Sequence, residues 1–350
     1  ETISNREIDR NKFGYADITD SSKYKDYILQ DGDILMSHIN SEKHLGKVAL
    51  YRKQGNEQII HGMNLLMLRA NPLDVFPPYA THFFETPTFL MQIQKITKKS
   101  VNQASFTVTA LKEIKIPLPS LDEQRRIAAV LDKVSGLIAK RREQLDKLDE
   151  LVKARFVEMF GDPVSNPKGW NNGTIRDVVS EVKYGTSRPA VDGGTYKYLR
   201  MGNITFDGHL DLSDLKYIDI PDSELEKCLV RKGDVLFNRT NSKELVGKTC
   251  VFDLDEPMVI AGYIIRVRVN KKVLPIYLSA VLNSKYGKQT LADMCKAIVG
   301  QANINAQELQ DIAILIPPIE LQEKFSNSVE TVKKSKLTIQ QSLDKLEVLK

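Results

Sequence analysis

Two polar loops hold most of the side chains here that could engage a ligand by hydrogen bonding. Ser37-His38-Ile39-Asn40-Ser41-Glu42-Lys43-His44 and Asn238-Arg239-Thr240-Asn241-Ser242-Lys243 each follow a Gly-Asp strand and precede a Gly-Lys strand. Asn, Arg, Ser, Thr and His can read base edges, and Lys neutralises phosphate. A second pair, Lys98-Lys99-Ser100-Val101-Asn102-Gln103 and residues 296–305 with Lys296, Gln301 and Asn303, joins backbone-binding charge to amide groups. Solvated hairpin loops have a similar composition, and Gly-Asp and Gly-Lys can recur for turn geometry alone. Recurrence of both loops at matching positions favours the binding reading.

Catalysis should show its groups, and the sequence lacks them. There is no Gly-x-x-x-x-Gly-Lys-Ser/Thr phosphate loop, and Pro221-Asp222 has no acidic-x-Lys at nuclease spacing after it. His38, His44, His61, His82 and His209 do not cluster with acids or cysteines at metal-ligand spacing, so no metal site is expected. For His38 and His44 a surface contact is the expectation. Phe76-Pro77-Pro78-Tyr79 is similar to the Asp/Asn-Pro-Pro-Tyr loop of amino-methyltransferases, but Phe76 replaces the polar residue that would receive the amine. A proline-led helix start is the better reading there. Cys228, Cys250 and Cys295 are too few and too scattered for a disulfide framework, and read as small buried hydrophobes.

The elements that must carry the loops recur as a whole module. Asp31-Gly32-Asp33-Ile34-Leu35 returns as Lys232-Gly233-Asp234-Val235-Leu236, and Asn40-Ser41 with Gly46-Lys47 returns as Asn241-Ser242 with Gly247-Lys248, offset by 201. Further on the offset is 198: Val101 and Gln103-Ala104 match Val299 and Gln301-Ala302, and Ile114-x-Ile116-x-x-Pro119 matches Ile312-x-Ile314-x-x-Pro317. Residues 33–36, 48–51 and 65–68 read as strands, the last one buried, and 79–96 as one amphipathic helix.

After each proline turn comes a helix with apolar residues alternately four and three apart. One seam is Ile127, Leu131, Val134, Ile138, Arg141, Leu145, Leu148, Val152; the other, offset by 198, is Phe325, Val329, Val332, Lys336, Ile339, Leu343, Leu346, Lys350. That period defines a coiled coil. Ser120 with Glu123 forms a capping-box pattern, and Gly161-Asp162-Pro163 stops the first helix after roughly 50 Å at 1.5 Å per residue. The expected organisation is a first domain at 1–120, a spacer helix at 121–160, a linker at 161–169, a second domain at 170–317 and a second spacer helix at 318–350. The fold class is α/β of the α+β type: two pseudo-repeated globular domains joined by two long helices. Antiparallel pairing of the helices is expected, because it relates the modules by a pseudo-two-fold axis and puts a domain at each end of a rod.

A 42% hydrophobic content over 350 residues supports proper cores, and the net charge of +5 permits an acidic polymer as partner without demanding one. No apolar run approaches the ~20 residues of a membrane span. With no signal-peptide pattern from Glu1 onward, a soluble cytoplasmic protein is expected.

Taken together, the pieces resemble the specificity subunit of Type I restriction-modification enzymes. The residues that carry the resemblance are Ile114 to Gln124 with its copy Ile312 to Gln322, Met159-Phe160-Gly161-Asp162-Pro163, Asn166-Pro167-Lys168-Gly169-Trp170, Tyr184-Gly185-Thr186-Ser187 and Gly202-Asn203-Ile204. The resemblance implies two target recognition domains, each reading one half of a bipartite double-stranded DNA sequence, with the coiled coil setting the gap. It adds Thr186, Ser187 and Arg188 to the DNA-binding candidates. It also implies two adenine methyltransferase subunits that bring S-adenosylmethionine, ATP-dependent restriction subunits as further partners, and no cofactor or catalysis on this chain. One departure stands out: Tyr217-x-Asp219 lies 47 residues after Trp170, whereas Tyr15-x-Asp17 lies 14 after Glu1, so about 33 residues of the first domain have no counterpart here. The second helix likewise stops about eight residues short of the first. The competing reading is a duplicated coiled-coil scaffold that binds only proteins. Salt separates the two, since only a DNA reader loses affinity for duplex steeply with ionic strength.

Overall fold

The computed structural model describes residues 3–4, 7–18, 20–101, 103–242, 245–298 and 301–349. It divides into two units, 1–140 with 343–350, and 141–342.

In the first unit the strand Ile34–Ser37 lies between Val48–Leu50 and Leu65–Leu68, antiparallel to both, with Met36 opposite Val48 and Leu66. Ile34, Met36, Phe89 and Ile93 pack its inner face. Residues 79–96 are not one helix. The chain forms Pro77–Phe83 and Pro87–Ile96, because Pro87 has no N–H for the ladder and its ring meets the carbonyl four residues back. Thr86 caps the second helix, its hydroxyl accepting from the Phe89 N–H at 3.2 Å.

The second unit repeats this plan with more strands. Its main sheet runs in the order Val179–Tyr184, Ile264–Val269, Val235–Asn238, Thr249–Val251. A second sheet runs Lys216–Ile218, Tyr196–Leu199, Met258–Ile260, Leu229–Val230. Asn171–Thr174 pairs with Ala313–Ile316. The helices Pro275–Asn283 and Lys285–Met294 stand where Pro77–Phe83 and Pro87–Ile96 stand in the first unit, each shifted by 198. The expected buried strand at 65–68 is half-buried instead. Its counterpart Ile264–Val269 has a neighbour on each side, whereas Leu65–Leu68 is an edge among the described residues.

The repeat extends to individual hydrogen bonds. The Asp33 carboxylate accepts from the Gln30 N–H at 2.6 Å and from Arg69, and Asp234 accepts from the Arg231 N–H at 2.9 Å and from Arg268. Gln124 and Gln322, both fully buried, each tie the start of a long helix to the preceding domain. Their Oε1 atoms accept from Phe76 N and Leu274 N, at 2.8 Å in both cases, while their Nε2 atoms donate to Asp74 O and Pro119 O, or Lys272 O and Pro317 O.

The long helices are Leu121–Phe160, whose 40 residues span ~60 Å rather than 50, and Ile319–Leu349. Only half of the expected capping box forms. Ser120 Oγ accepts from the Glu123 N–H at 3.3 Å, but the Glu123 carboxylate turns to Arg126. Every apolar seam residue is buried or half-buried: Ile138, Phe325 and Leu343 are buried, and Ile127, Leu131, Val134, Leu145, Leu148, Val152, Val329, Val332, Ile339 and Leu346 half-buried. Within the second unit the Phe325 ring lies 5.7 Å from Phe156 and 5.5 Å from Phe160, and Lys336 Nζ lies 2.7 Å from Asp149. Residue numbers rise on one helix as they fall on the other, so the pairing is antiparallel.

Cys228 and Cys250 are buried, and burial pushes the Cys250 thiol up to about 12. Among the described residues no helix is long and apolar enough to cross a membrane, and no group of three metal-binding side chains occurs.

Candidate nucleic-acid interface

Each polar loop is closed at its base by the same two backbone bonds. Ser37 N donates to Lys47 O and Gly46 N to Ser37 O, at 2.9 Å each; Asn238 N donates to Lys248 O and Gly247 N to Asn238 O, at 2.9 and 2.8 Å. The glycine is required at the second closure. Gly247 has φ +78°, and a Cβ there would lie 2.6 Å from Leu291 Cδ1.

Strand pairing then brings the second pair of polar segments against the first. Ile39–Asn40 pairs with Ala104–Ser105, which pairs with Lys98–Lys99, and Thr240–Asn241 pairs with Gln301–Asn303, which pairs with Lys296–Ile298. Each unit thus carries a small three-stranded tip sheet built from both of its polar segments. An open cleft of about 1050 Å³ in the first unit has Asn40, Ser41, His44, Lys47 and Gln103 on its wall.

Within this frame several candidates are spent on structure. His38 is tied in rather than presented, its Nε2 3.0 Å from Met63 O and its ring edge against Phe106. Thr240 is buried and donates to Asn303 Oδ1 at 2.9 Å, joining loop to hairpin. The Asn40 and Asn241 side-chain oxygens accept from the next residue's N–H, Ser41 at 2.8 Å and Ser242 at 2.9 Å, which is local turn chemistry. Lys99 pairs with Glu42 at 2.8 Å, and Arg188 grips Glu224 with two bonds at 3.1 and 2.7 Å. Thr186 holds backbone bonds to Ile260 and Gly262, and its Oγ1 accepts from Arg188 N.

Other candidates remain presented. Ser41, Lys43, Lys98, Gln103, Ser187 and Asn303 are exposed, and His44 and Ser242 half-buried. Lys296 and Gln301 are placed by their backbones in the tip hairpin. Asn102, Lys243 and Val299 lie outside the described residues. Arg239 is half-buried, its guanidinium carbon 4.9 Å over the Tyr184 ring.

Two further basic residues stand beside the second tip sheet, one of them, Lys288, with no mark in the sequence. Lys248 is buried and donates to Met201 O at 2.8 Å. Lys288 donates to Gly247 O at 3.2 Å, and its Nζ lies 5.3 Å over the Phe206 ring. Burial, helped by the charge of Lys248 and opposed by Asp207, brings the Lys288 ammonium down to about 8. In carbon-13 spectra of the reductively methylated protein, one lysine is therefore expected to titrate near pH 8 and to vanish in Lys288→Arg. A full set of lysines titrating above pH 10 would refute this. The Gly-Lys motif marked Lys248; nothing at the sequence level marked Lys288, which comes from a helix about 40 residues away.

A duplicated α+β domain, each copy carrying a polar three-stranded sheet, together with two long helices that pair antiparallel, defines the class of the protein. The chain belongs to the Type I restriction modification DNA specificity domain family, whose model matches residues 4–149 and 167–348. The putative type I restriction enzyme MjaX specificity subunit of Methanocaldococcus jannaschii is 37% identical over 205 residues, covering 57% of this chain and 46% of that protein. The type I restriction enzyme EcoKI specificity subunit of Escherichia coli is 24% identical over 284 residues, covering 75% of this chain and 60% of that protein. The chain thus spans roughly half the length of these curated relatives. The fold is shared with a solved chain of a type I restriction-modification system at a TM-score of 0.58 and 20% identity, covering 92% of this chain and 80% of that one. It is shared too with the type I restriction-modification S subunit from M. genitalium, at a TM-score of 0.54 and 15% identity, covering 93% and 82%.

Proposed function

We propose that this chain is the DNA-specificity subunit of a type I restriction-modification enzyme, and that it reads a bipartite duplex sequence with one half-site per unit. The observation that carries this is the paired tip sheet: the same strand, loop and hairpin, with amide, hydroxyl and cationic groups, built twice around shared turn chemistry. The chain itself holds no catalytic group in this reading. Adenine methyltransferase subunits bring S-adenosylmethionine, and restriction subunits with an ATP-driven motor complete the assembly. Association with DNA is expected to fall about a thousandfold or more between 50 and 200 mM salt if six or more phosphates are neutralised. A duplicated protein scaffold would show no affinity for duplex to lose.

The direct test is methylation mapping. The full-length protein is co-expressed with its methyltransferase in a host lacking adenine methylation, and the genome is sequenced for modified adenine. A split motif with an unspecified gap supports the proposal. Absence of modification, with the complex shown to form, refutes it.

A further inference from the structure

The geometry points to a guanine in the half-site read by the second unit, recognised by the Arg239 fork, with Tyr184 as the residue that positions the fork. This deepens the proposed function and rests on it. Arg239 is fixed at both ends of its own peptide unit: its N–H donates to Tyr263 O and its carbonyl accepts from Ile304 N, both at 2.9 Å. The guanidinium then lies over the Tyr184 ring, 4.9 Å from carbon to centroid. Tyr184 is held in turn by its place opposite Ile265 in the main sheet and by its hydroxyl, which accepts from Ala306 N at 2.8 Å. The place of the fork is therefore set over a ring that is itself held by the sheet and by its hydroxyl.

What the fork has left to give is also defined. Among the described residues the Arg239 side chain makes no hydrogen bond, and of its three nitrogens only Nε is sealed from solvent. A sealed, unpartnered Nε is a cost that native sites carry where function requires it; here stacking on Tyr184 helps to offset it. The neighbours in the loop are committed, Thr240 to Asn303 and the Asn241 oxygen to Ser242. Two coplanar donors on a pre-oriented fork match two acceptors side by side on one base edge. In duplex DNA that is O6 and N7 of guanine in the major groove. A phosphate clamp needs charge without orientation, and Tyr184 would then be superfluous.

The test is selection of bound duplexes from a randomised library by the full chain, followed by affinities for the selected sequence and its single-base variants. Arg239→Ala is expected to lose preference at one guanine by roughly ten- to a hundredfold, with the other positions unchanged. Arg239→Lys should lose the same preference while keeping the salt dependence of the wild type, because it retains charge without the fork. Tyr184→Phe keeps the ring and should keep the preference; Tyr184→Leu should lose part of it with no change for duplexes already lacking that guanine. Equal weakening of all sequences by Arg239→Ala would assign the residue to phosphate and overturn the inference. So would an unchanged preference in Arg239→Lys, which decides the matter even if Tyr184→Leu does not fold. A wild-type chain that binds no duplex would instead overturn the specificity reading itself.

Discussion

Gln322→Ala is expected to destabilise the second unit by about 3–5 kcal/mol, because one amide serves three backbone groups. Oε1 accepts from Leu274 N at 2.8 Å, just ahead of the helix Pro275–Asn283, and Nε2 donates to Lys272 O at 3.1 Å and Pro317 O at 2.9 Å. The side chain is fully buried, so truncation leaves a donor and two acceptors without partners. Each such group costs about 1–3 kcal/mol, less where a water can enter the void. For a unit of this size the shift in melting temperature is roughly 10 °C in scanning calorimetry. Gln322→Glu fills the same volume but sets a carboxylate against two carbonyl oxygens, so shape alone should not restore stability. A loss below about 1 kcal/mol in Gln322→Ala would show that the three-way bond is not what fixes the second long helix to its domain.

This glutamine shows how much was legible in the sequence. It closes the motif that repeats at Ile114 to Gln124 and Ile312 to Gln322, and the repeat was visible without any knowledge of the bond. The same holds for Asp33 and Asp234, which recur because each carboxylate closes a turn and receives an arginine. It holds too for the heptads, whose spacing alone marks the seam. Local geometry leaves a periodic trace, and duplication doubles it.

What escaped depended on pairs far apart in the chain or on one residue breaking a pattern. Apolar spacing continues across residues 79–96, and the break falls at Pro87, which has no N–H to give to the helix ladder. The contacts of Tyr184 with Arg239, Thr240 with Asn303 and His38 with Met63 join residues separated by 25 to 63 positions, and periodicity carries no such register. The candidate site was therefore read as a composition: the loops were found, but which side chains are spent inside them and which are presented emerges only from the fold.

The ion pair of Arg266 with Glu181 is a second feature that no periodic pattern announces, and its disruption should be among the costliest single changes. Arg266 sits in the strand Ile264–Val269 with its side chain fully buried. It donates to Leu229 O, to Glu226 O at 3.2 Å and to the Glu181 carboxylate. Glu181 also takes Lys183 Nζ at 2.6 Å and Arg268 Nη1 at 3.1 Å. Burial, the largest influence on Glu181, pushes its carboxyl up, but the Lys183 hydrogen bond and the charges of Arg266 and Arg268 outweigh it and hold the group below the usual range. Glu181→Ala leaves a buried guanidinium without its counter-charge and is expected to cost about 3–5 kcal/mol at pH 7. Adding Arg266→Met removes that orphaned charge, so the double variant should lose less than the sum of the two single changes by about 2 kcal/mol, the coupling expected of contacting groups. A carboxyl held low in the folded state contributes stability that is present above its unfolded value and is lost as pH falls through its folded one. The wild-type urea midpoint should therefore decline from about pH 4.5 downward, and part of that decline should be absent in Glu181→Gln. Strict additivity of the two changes, or identical acid profiles, would mean that Glu181 does not neutralise the buried arginine.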